Sequence, residues 1–134
     1  MTSNGEDSVS DVLRALAGGD SQALAKALET GCDPNAKDRW GAPALSIAAG
    51  RGDIEAVRLL IEHGGDPNLA SPVGNSPLMI AAARGRPEVA RALLEAGAKP
   101  AATNDWGLSA ADWAQWAKDP GDIHAFLVSQ ESEA

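Results

Sequence analysis

The chain has 134 residues, of which 44% are hydrophobic, so it is long enough to bury a sizeable core in one domain and is not disordered in composition. Its formal net charge of −8 argues against a nucleic-acid partner, which needs clustered Lys and Arg, and against an anionic membrane surface. The single cysteine, Cys32, can form no internal disulfide and cannot build a zinc site, so we expect no metal or other cofactor.

The first predicted helix lies in the segment that starts at Ser8 and contains the apolar stretch 12–17. Acidic rather than basic residues precede this stretch, and it is too short for a secretory signal. No other stretch approaches the roughly 20 apolar residues of a membrane helix. We therefore expect a cytoplasmic protein in a reducing compartment. Ser8 and Asp11, three residues apart, fit a capping box at the start of the first helix.

Glycines recur along the chain with a single period of 33 residues. Three series share this period: Gly19, Gly52 and Gly85; Gly31, Gly64 and Gly97; and Gly41, Gly74 and Gly107. Several proline, asparagine, leucine, alanine and glutamate positions keep the same step. Agreement across so many positions predicts a repeat protein whose unit is one supersecondary element.

Residues 38–70 show what one unit contains. Pro43 is predicted to start a short helix over residues 44–50, because proline is tolerated in a first helical turn. A second helix is predicted over residues 54–63, and Gly64 ends it as a glycine at the C′ position would. One such helix pair cannot bury its apolar faces alone, so we expect neighbouring pairs to stack.

Two short motifs recur within the repeat. The first reads PALSIA at 43–48, SPLMIA at 76–81 and SAADWA at 109–114, and the second reads GCDPN at 31–35 and GGDPN at 64–68. With these motifs the sequence resembles the ankyrin family, whose unit is about 33 residues long and carries a T-P-L-H-x-A signature. The signature histidine is missing from all three segments, and the tail at 97–101 has lost its Asp and Asn. These departures predict weaker bracing within the units.

The resemblance implies an all-α fold, an ankyrin-type helix-turn-helix repeat stack (an α-solenoid) with short hairpin-like turns, in one domain of residues 1–134. We expect an N-terminal cap repeat at 8–37, full repeats at 38–70 and 71–103, and a C-terminal cap repeat at 104–130, followed by a tail at 131–134. The last helix pair is expected to break at Asp119, Pro120 and Gly121, and the chain is expected to fray from Ser129 onward.

Catalytic chemistry is not expected from this sequence. The glycines follow the repeat period rather than a phosphate-binding motif. His63 and His124 are interpreted as solvated surface residues, and Cys32 as a buried thiol in a slot for small residues that Gly65 and Ala98 also occupy. The charged residues that recur on the second helices are interpreted as a solvated convex face: Glu55, Arg58 and Glu62, then Glu88, Arg91 and Glu95.

The resemblance places a binding surface on the concave side, at the turn tips and the exposed side of the first helices. The variable turn positions there are Arg39, Trp40, Val73, Asn75, Asp105, Trp106 and Leu108, and the first helices end near Arg51, Arg84 and Trp116. Trp40, Val73 and Trp106 are 33 residues apart, so stacked repeats would align them in an apolar stripe. Tryptophan and arginine are enriched in binding hot spots.

Alternatives remain open for three of the four tryptophans. Trp40 and Trp106 either contact a partner or fold back to cover a neighbouring repeat. Trp113 aligns with Ile47 and Ile80 and is expected to pack within the stack, whereas Trp116 either closes the end of the stack or contacts a partner.

These observations predict a protein-interaction module that binds one partner protein through its concave side, with Trp40 and Trp106 as anchors. Arg39, Arg51 and Arg84 would meet acidic groups or backbone carbonyls of the partner. The size suits an inhibitor, an immunity-type protein or a regulatory adaptor, and we expect a monomer. The alternative is a structural protein that self-associates through the tryptophan stripe.

Overall fold

The repeat glycines lie at turns and helix ends in the structure, as their period predicts. The computed structural model describes the backbone of residues 5–116 and 121–133, and the side chains of residues 11–116 and 123–131. Within these residues the chain is helical and contains no strand. Its helices are α1 (Gly5–Gly18), α2 (Ser21–Glu29), α3 (Ala44–Arg51), α4 (Ile54–Glu62), α5 (Pro77–Ala83), α6 (Pro87–Glu95), α7 (Ala110–Ala114) and α8 (Gly121–Glu133).

Consecutive helices pack as pairs: α1 with α2, α3 with α4, α5 with α6, and α7 with α8. The first helices of the pairs contact one another in the order α1, α3, α5, α7. The second helices α2, α4 and α6 contact one another in the same order and form a layer beside them. This arrangement confirms the predicted stack of helix-turn-helix units. The residue limits assigned to the four units stay a prediction.

The core combines alanines with larger apolar side chains from both helices of a pair. In α3, Ala48 and Ala49 are fully buried and Leu45 is 2% exposed, and α4 buries Val57 and Leu60. The pattern repeats in α5 and α6, and all these side chains belong to one continuous core. Because alanine adds so little bulk, adjacent first helices approach closely, and the leucines and valines supply most of the volume that close packing requires.

All nine glycines of the three series have positive φ, between 64° and 105°. Residues with a Cβ are unfavourable in this left-handed region, so glycine is the default there. One series follows the first helices, the second follows the second helices, and the third lies in the turns between pairs. The sequence period is therefore a period of backbone conformation.

The turns between pairs are closed loops of five residues. The N–H of each opening residue donates to the carbonyl oxygen four residues on, at 3.0 Å, for the pairs Asp38 and Ala42, Ser71 and Asn75, and Asn104 and Leu108. An antiparallel bridge between Lys37 and Pro43 extends the first loop. These bonds agree with the hairpin-like turns that were predicted.

The first helices begin with a serine cap in the two later pairs. Ser109 and Asp112 form a reciprocal capping box, in which Ser109 N donates to Asp112 Oδ2 at 2.9 Å and Asp112 N donates to Ser109 Oγ at 3.4 Å. Ser76 makes the same box with Met79, whose sulfur accepts the Ser76 N–H at 3.4 Å. Thioether sulfur is a weak acceptor, so this second box is the weaker one.

Pro43 occupies the same position before α3 and changes the capping. It lies in extended backbone just outside the helix, as the N-cap residue without a side-chain cap, rather than in the first helical turn as predicted. Ser46 is equivalent to Met79 and Asp112, which accept the N–H of the N-cap residue. Because proline has no N–H, the hydroxyl of Ser46 cannot accept this hydrogen bond. Ser46 Oγ is buried without a hydrogen-bond partner among the described residues. This helix start therefore lacks the capping that serine provides in the two later pairs, and the weaker bracing expected from the missing histidine stays a prediction.

A ladder of asparagine side chains joins the tails that follow the second helices. Asn35 donates from Nδ2 to Gly64 O at 3.4 Å and accepts from Asp66 N at 2.7 Å. Asn68 makes the same two contacts with the next tail, at 3.1 and 2.9 Å. Ala101 stands where a third asparagine would continue the ladder, so the last tail lacks this brace.

Two predictions for the chain ends are wrong. Helix α1 begins at Gly5, so Ser8 lies inside the helix and cannot be its N-cap. Helix α8 continues to Glu133, so residues 129–133 are helical rather than frayed. No proline or glycine follows Gly121, and the tail is rich in Glu and Gln, which favour helix over an irregular chain.

The predicted break in the last unit involves Asp119 and Pro120, which lie outside the described residues, whereas Gly121 is the first residue of α8. Among the described helices, none combines the length and the apolar character that crossing a membrane requires. The turns lie between the second helix of one pair and the first helix of the next, and successive turns contact one another: Gly41 lies against Pro72, and Asp105 N donates to Val73 O.

Candidate functional site

The turns that carry the predicted binding residues are held from inside by their first side chain. Asp38 Oδ1 accepts from Trp40 N and Ala42 N, both at 2.9 Å. Asn104 Oδ1 accepts from Trp106 N at 2.9 Å and Leu108 N at 3.0 Å. Because these bonds fix the backbone on both sides of the tryptophan, each turn presents its tryptophan from a rigid loop.

Trp40 and Trp106 point into solvent. They expose 73% and 66% of their surface, and Val73, at the equivalent position of the middle turn, exposes 38%. Neither tryptophan is folded back to cover a neighbouring repeat. The guanidinium of Arg39 lies 5.0 Å from the centroid of the Trp40 ring, in cation–π geometry. We call the exposed side chains of Arg39, Trp40, Val73, Asp105 and Trp106 the turn surface.

Two other predicted residues of the turns, Asn75 and Leu108, are half-buried. Asn75 Oδ1 accepts a hydrogen bond from Asn104 Nδ2 at 2.8 Å. The backbone also joins these turns, since Asp105 N donates to Val73 O at 3.0 Å. Part of the Asn75 side chain is thus committed to holding the next turn in place.

Arg51 and Arg84 end the first helices of the two middle pairs, and both are exposed. Arg51 is the last residue of α3, and its guanidinium comes close to Gly19 in the connection between α1 and α2. Arg84 follows α5 directly as its C-cap residue. The structure therefore places both arginines at the ends of adjacent first helices, as their alignment in the sequence predicts.

A groove of about 470 Å³ lies between α1 and α3, beside the first turn. Its lining combines apolar and charged side chains: Leu13, Ala17, Lys37, Asp38, Arg39, Trp40, Ile47 and Arg51. The sequence prediction included Arg39, Trp40 and Arg51 but missed the others. The spacing of Leu13 and Ala17 by one helical turn, and of Ile47 and Arg51 likewise, is the signal that could have placed them on facing helices.

The C-terminal end of the stack has a different lining. Trp116 exposes 60% of its surface and meets Trp113 edge-to-face, with ring centroids 5.9 Å apart. Trp113 is half-buried and packs against the core, as predicted. Its Nε1 is buried and has no hydrogen-bond partner among the described residues. Trp116 therefore lies over Trp113 with most of its ring in water.

The residues considered for chemistry are engaged in structure. His63 is exposed and its Nδ1 donates to Leu59 O at 2.9 Å. His124, expected on the solvated surface, is half-buried instead, and its Nδ1 donates to Ala111 O at 2.9 Å, which links α8 to α7. Cys32 is buried, as predicted. Within the described residues no three His, Cys, Asp or Glu side chains come together in a way that could hold a metal ion.

The convex charges on α4 and α6 are all exposed, as predicted, and all of them except Glu55 line a shallow groove of about 410 Å³. None of these residues forms an ion pair within 4 Å with another described residue. The ion pair found among the described residues joins Arg14 and Asp11, at 3.5 Å. Glutamates outnumber arginines on this face, so its charge follows the negative balance of the chain.

A protein-family model described as ankyrin repeats, in three copies, matches residues 12–104. The match covers more than half of the 134 residues and includes the first two turns, but it stops before Trp106 and the last helix pair. No curated protein matches the chain.

Proposed function

Because the chain belongs to the ankyrin repeat family, whose members generally mediate protein–protein interaction, we propose that it captures one partner protein through the turn surface. Arg51, Arg84, Trp116 and the exposed parts of Asn75 and Leu108 would extend the contact along the first helices. The chain would act on this partner as an inhibitor, an immunity-type protein or a regulatory adaptor. Like ankyrin repeat proteins in general, the chain would act by binding rather than catalysis.

The exposure of Trp40 and Trp106 is the observation that carries this proposal. Two tryptophans with 73% and 66% of their surface in water contribute little to the core, yet each stands on a loop fixed by internal hydrogen bonds. A buried tryptophan at an interface contributes about 2 kcal/mol or more to binding when it is a hot spot. A rigid loop also loses little conformational freedom on association, which favours affinity.

The charge of the turn surface supports a directional contact. Arg39 lies at the N-terminal end of this surface and Asp105 at the C-terminal end, and both are exposed. A partner with an acidic region opposite Arg39 and a basic region opposite Asp105 would bind in one orientation, since opposite charges steer encounter and fix register. We propose a monomer that acts in the cytoplasm without a cofactor.

The proposal is tested by capture from a cell lysate with immobilised protein, followed by mass spectrometry. The test variant is Trp40→Ala with Trp106→Ala, and the control is Arg58→Ala with Glu62→Ala, which changes two exposed residues of the convex face. We expect the wild type and the control to retain one discrete protein that the test variant loses, with unchanged circular dichroism. Equal capture by all three proteins would contradict the proposal.

Self-association is the second candidate, and the opposite charges of Arg39 and Asp105 favour it. In a two-fold dimer the basic end of each turn surface would meet the acidic end of the other copy, which gives a closed dimer. Light scattering of the pure protein decides between the two candidates. A particle mass that stays at 13.7 kDa at high concentration would exclude self-association.

A further inference from the structure

We propose that the groove between α1 and α3 takes an acidic segment of the partner that carries one large apolar side chain. This inference rests on the proposed function, because the groove adjoins the turn surface and shares Arg39 and Trp40 with it. It goes further by assigning a chemistry to the segment that binds at this end.

The charge of the groove is opposite to that of the chain. Lys37, Arg39 and Arg51 contribute three cations to the lining, against the single carboxylate of Asp38, whereas the whole chain carries −8. The Asp38 carboxylate is also turned inward, since its Oδ1 accepts two backbone N–H groups of the turn. The groove is therefore a positive site on a negative molecule, and a segment with Asp or Glu is the complementary occupant.

The cations are available for a ligand. Lys37, Arg39 and Arg51 are exposed, and none of them makes an ion pair within 4 Å among the described residues. The Arg39 guanidinium lies over the Trp40 ring, and no hydrogen bond to another described residue engages its N–H groups. A planar guanidinium with free N–H groups suits the two oxygens of a carboxylate.

The floor of the groove accounts for the apolar side chain. Leu13 and Ile47 are half-buried and pack against the core, and Ala17 and Trp40 complete an apolar patch beneath and beside the arginines. The groove volume of about 470 Å³ falls within the range of about 300–1,000 Å³ that is typical of ligand sites. A leucine, isoleucine or phenylalanine flanked by acidic residues would cover this patch while its neighbours reach the cations.

Two other grooves lined by described residues do not offer this combination. The groove between α4 and α6 on the convex face is lined by Arg58 and Arg91 but also by three glutamates, so it does not favour an anion. The groove beside α1 and α2 includes Asp11 and Asp20 with Arg14 and Lys26, which balance one another. Among these grooves the one between α1 and α3 is distinguished by its excess of cations.

The test is a selection from a displayed library of random peptides on the immobilised full chain. One enriched peptide is then synthesised with a fluorescent label and titrated by anisotropy against four proteins: the wild type, Arg51→Glu, Arg39→Glu and Arg58→Glu. Arg58→Glu is the matched control, because it makes the same charge change at an exposed arginine of the convex face. Two groove variants are used because a glutamate at the end of α3 opposes the helix dipole, whereas Arg39 lies in a turn.

We expect enriched peptides that carry Asp or Glu beside a large apolar residue, and about tenfold or greater loss of affinity in both groove variants with little change in the control. Affinity should also fall as salt rises. Enrichment of neutral or basic peptides, no enrichment, or equal binding by all four proteins would overturn the proposal. If basic peptides are enriched, one of them is titrated against Trp40→Ala. Loss of its binding would leave the proposed function standing and overturn only the acidic segment.

Discussion

Residues 38–42 and 104–108 form two turns with equivalent internal hydrogen bonds. Each turn has an exposed tryptophan at the same position, but the surroundings of the two turns differ. The first turn carries Arg39, faces the groove between α1 and α3, and has the next repeat packed against its glycine. The second carries Asp105 and lies at the far end of the stack. The repeat therefore fixes how a turn is built, whereas the variable residues and the neighbours fix what the turn presents.

The glycines at the tip distinguish the two turns most strongly. Gly41 and Gly107 have φ of 83° and 78°, but a Cβ on Gly41 would lie 2.7 Å from the Pro72 ring, whereas a Cβ on Gly107 meets nothing within 4 Å. We expect Gly107→Ala to lower the free energy of unfolding by about 1–2 kcal/mol through backbone strain alone. Gly41→Ala should lower it by about 1–3 kcal/mol more because of the clash. Urea denaturation checks this, and equal losses would contradict the difference in packing.

The first side chains of the two turns, Asp38 and Asn104, should also differ in how much their removal lowers the free energy of unfolding. Asn104 is buried and makes two acceptor contacts and one donor contact, whereas Asp38 is half-buried and makes two acceptor contacts. At about 0.5–1.5 kcal/mol for each hydrogen bond, we expect Asn104→Ala to destabilise by about 2–4 kcal/mol and Asp38→Ala by about 1–3 kcal/mol. The double variant Asn75→Ala with Asn104→Ala should lower the free energy of unfolding by less than the sum of the two single variants. Each single variant already removes the hydrogen bond between these two side chains. Full additivity would mean that this contact between turns contributes nothing.

The two tryptophans should contribute unequally to partner affinity. Trp40 adjoins a groove that a partner can fill, so Trp40→Ala is expected to weaken binding by about 2 kcal/mol or more. Trp106 does not line this groove, so Trp106→Ala should have a smaller effect. Both side chains are exposed, so neither change should alter the free energy of unfolding by more than about 0.5 kcal/mol. Isothermal titration with the captured partner ranks them, and a larger effect at Trp106 would reverse the comparison.

The smallest expected difference concerns charge. Arg39→Asp and Asp105→Arg change exposed charges in opposite directions at equivalent positions of the two turns. Each should change the association rate a few-fold with little effect on the dissociation rate, because exposed charges act mainly on encounter. Stopped-flow mixing at low and high salt measures this. Both variants should slow association, because each places like charges opposite one another. If one variant slows association and the other speeds it, the partner is uniformly charged and the two ends of the turn surface are not distinct.

Much of the fold could be predicted from the sequence because each glycine of the period lies where the backbone has positive φ. Gly41, Gly52 and Gly64 adopt left-handed backbone wherever the chain turns, and that requirement depends on few neighbours. The helix ends were less predictable, since nothing local stops α8 before Glu133. The unpaired hydroxyl of Ser46 follows from the N–H that Pro43 lacks, which becomes visible only when both residues are placed at one helix start.

The candidate site could be predicted only in part. Alignment by 33 residues identified Trp40 and Trp106, but their exposure depends on what the adjacent repeat places beside them. The bond between Asn75 and Asn104 joins residues 29 apart, and no local pattern indicates it. The groove forms because α1 and α3 face each other. The repeat predicts that these helices are neighbours, but it does not specify which side chains line the space between them.

Site-specific photocrosslinking tests most directly whether the turn surface is where the partner binds. A photoreactive phenylalanine derivative is placed at Trp40, at Trp106, or at Arg58 and Arg91 of the convex face, and the cells are irradiated. The turn positions should yield an adduct with one and the same partner, and the convex positions should yield none. An adduct that forms from Arg58 or Arg91 but not from Trp40 or Trp106 would place the binding surface on the opposite side of the stack and contradict the account.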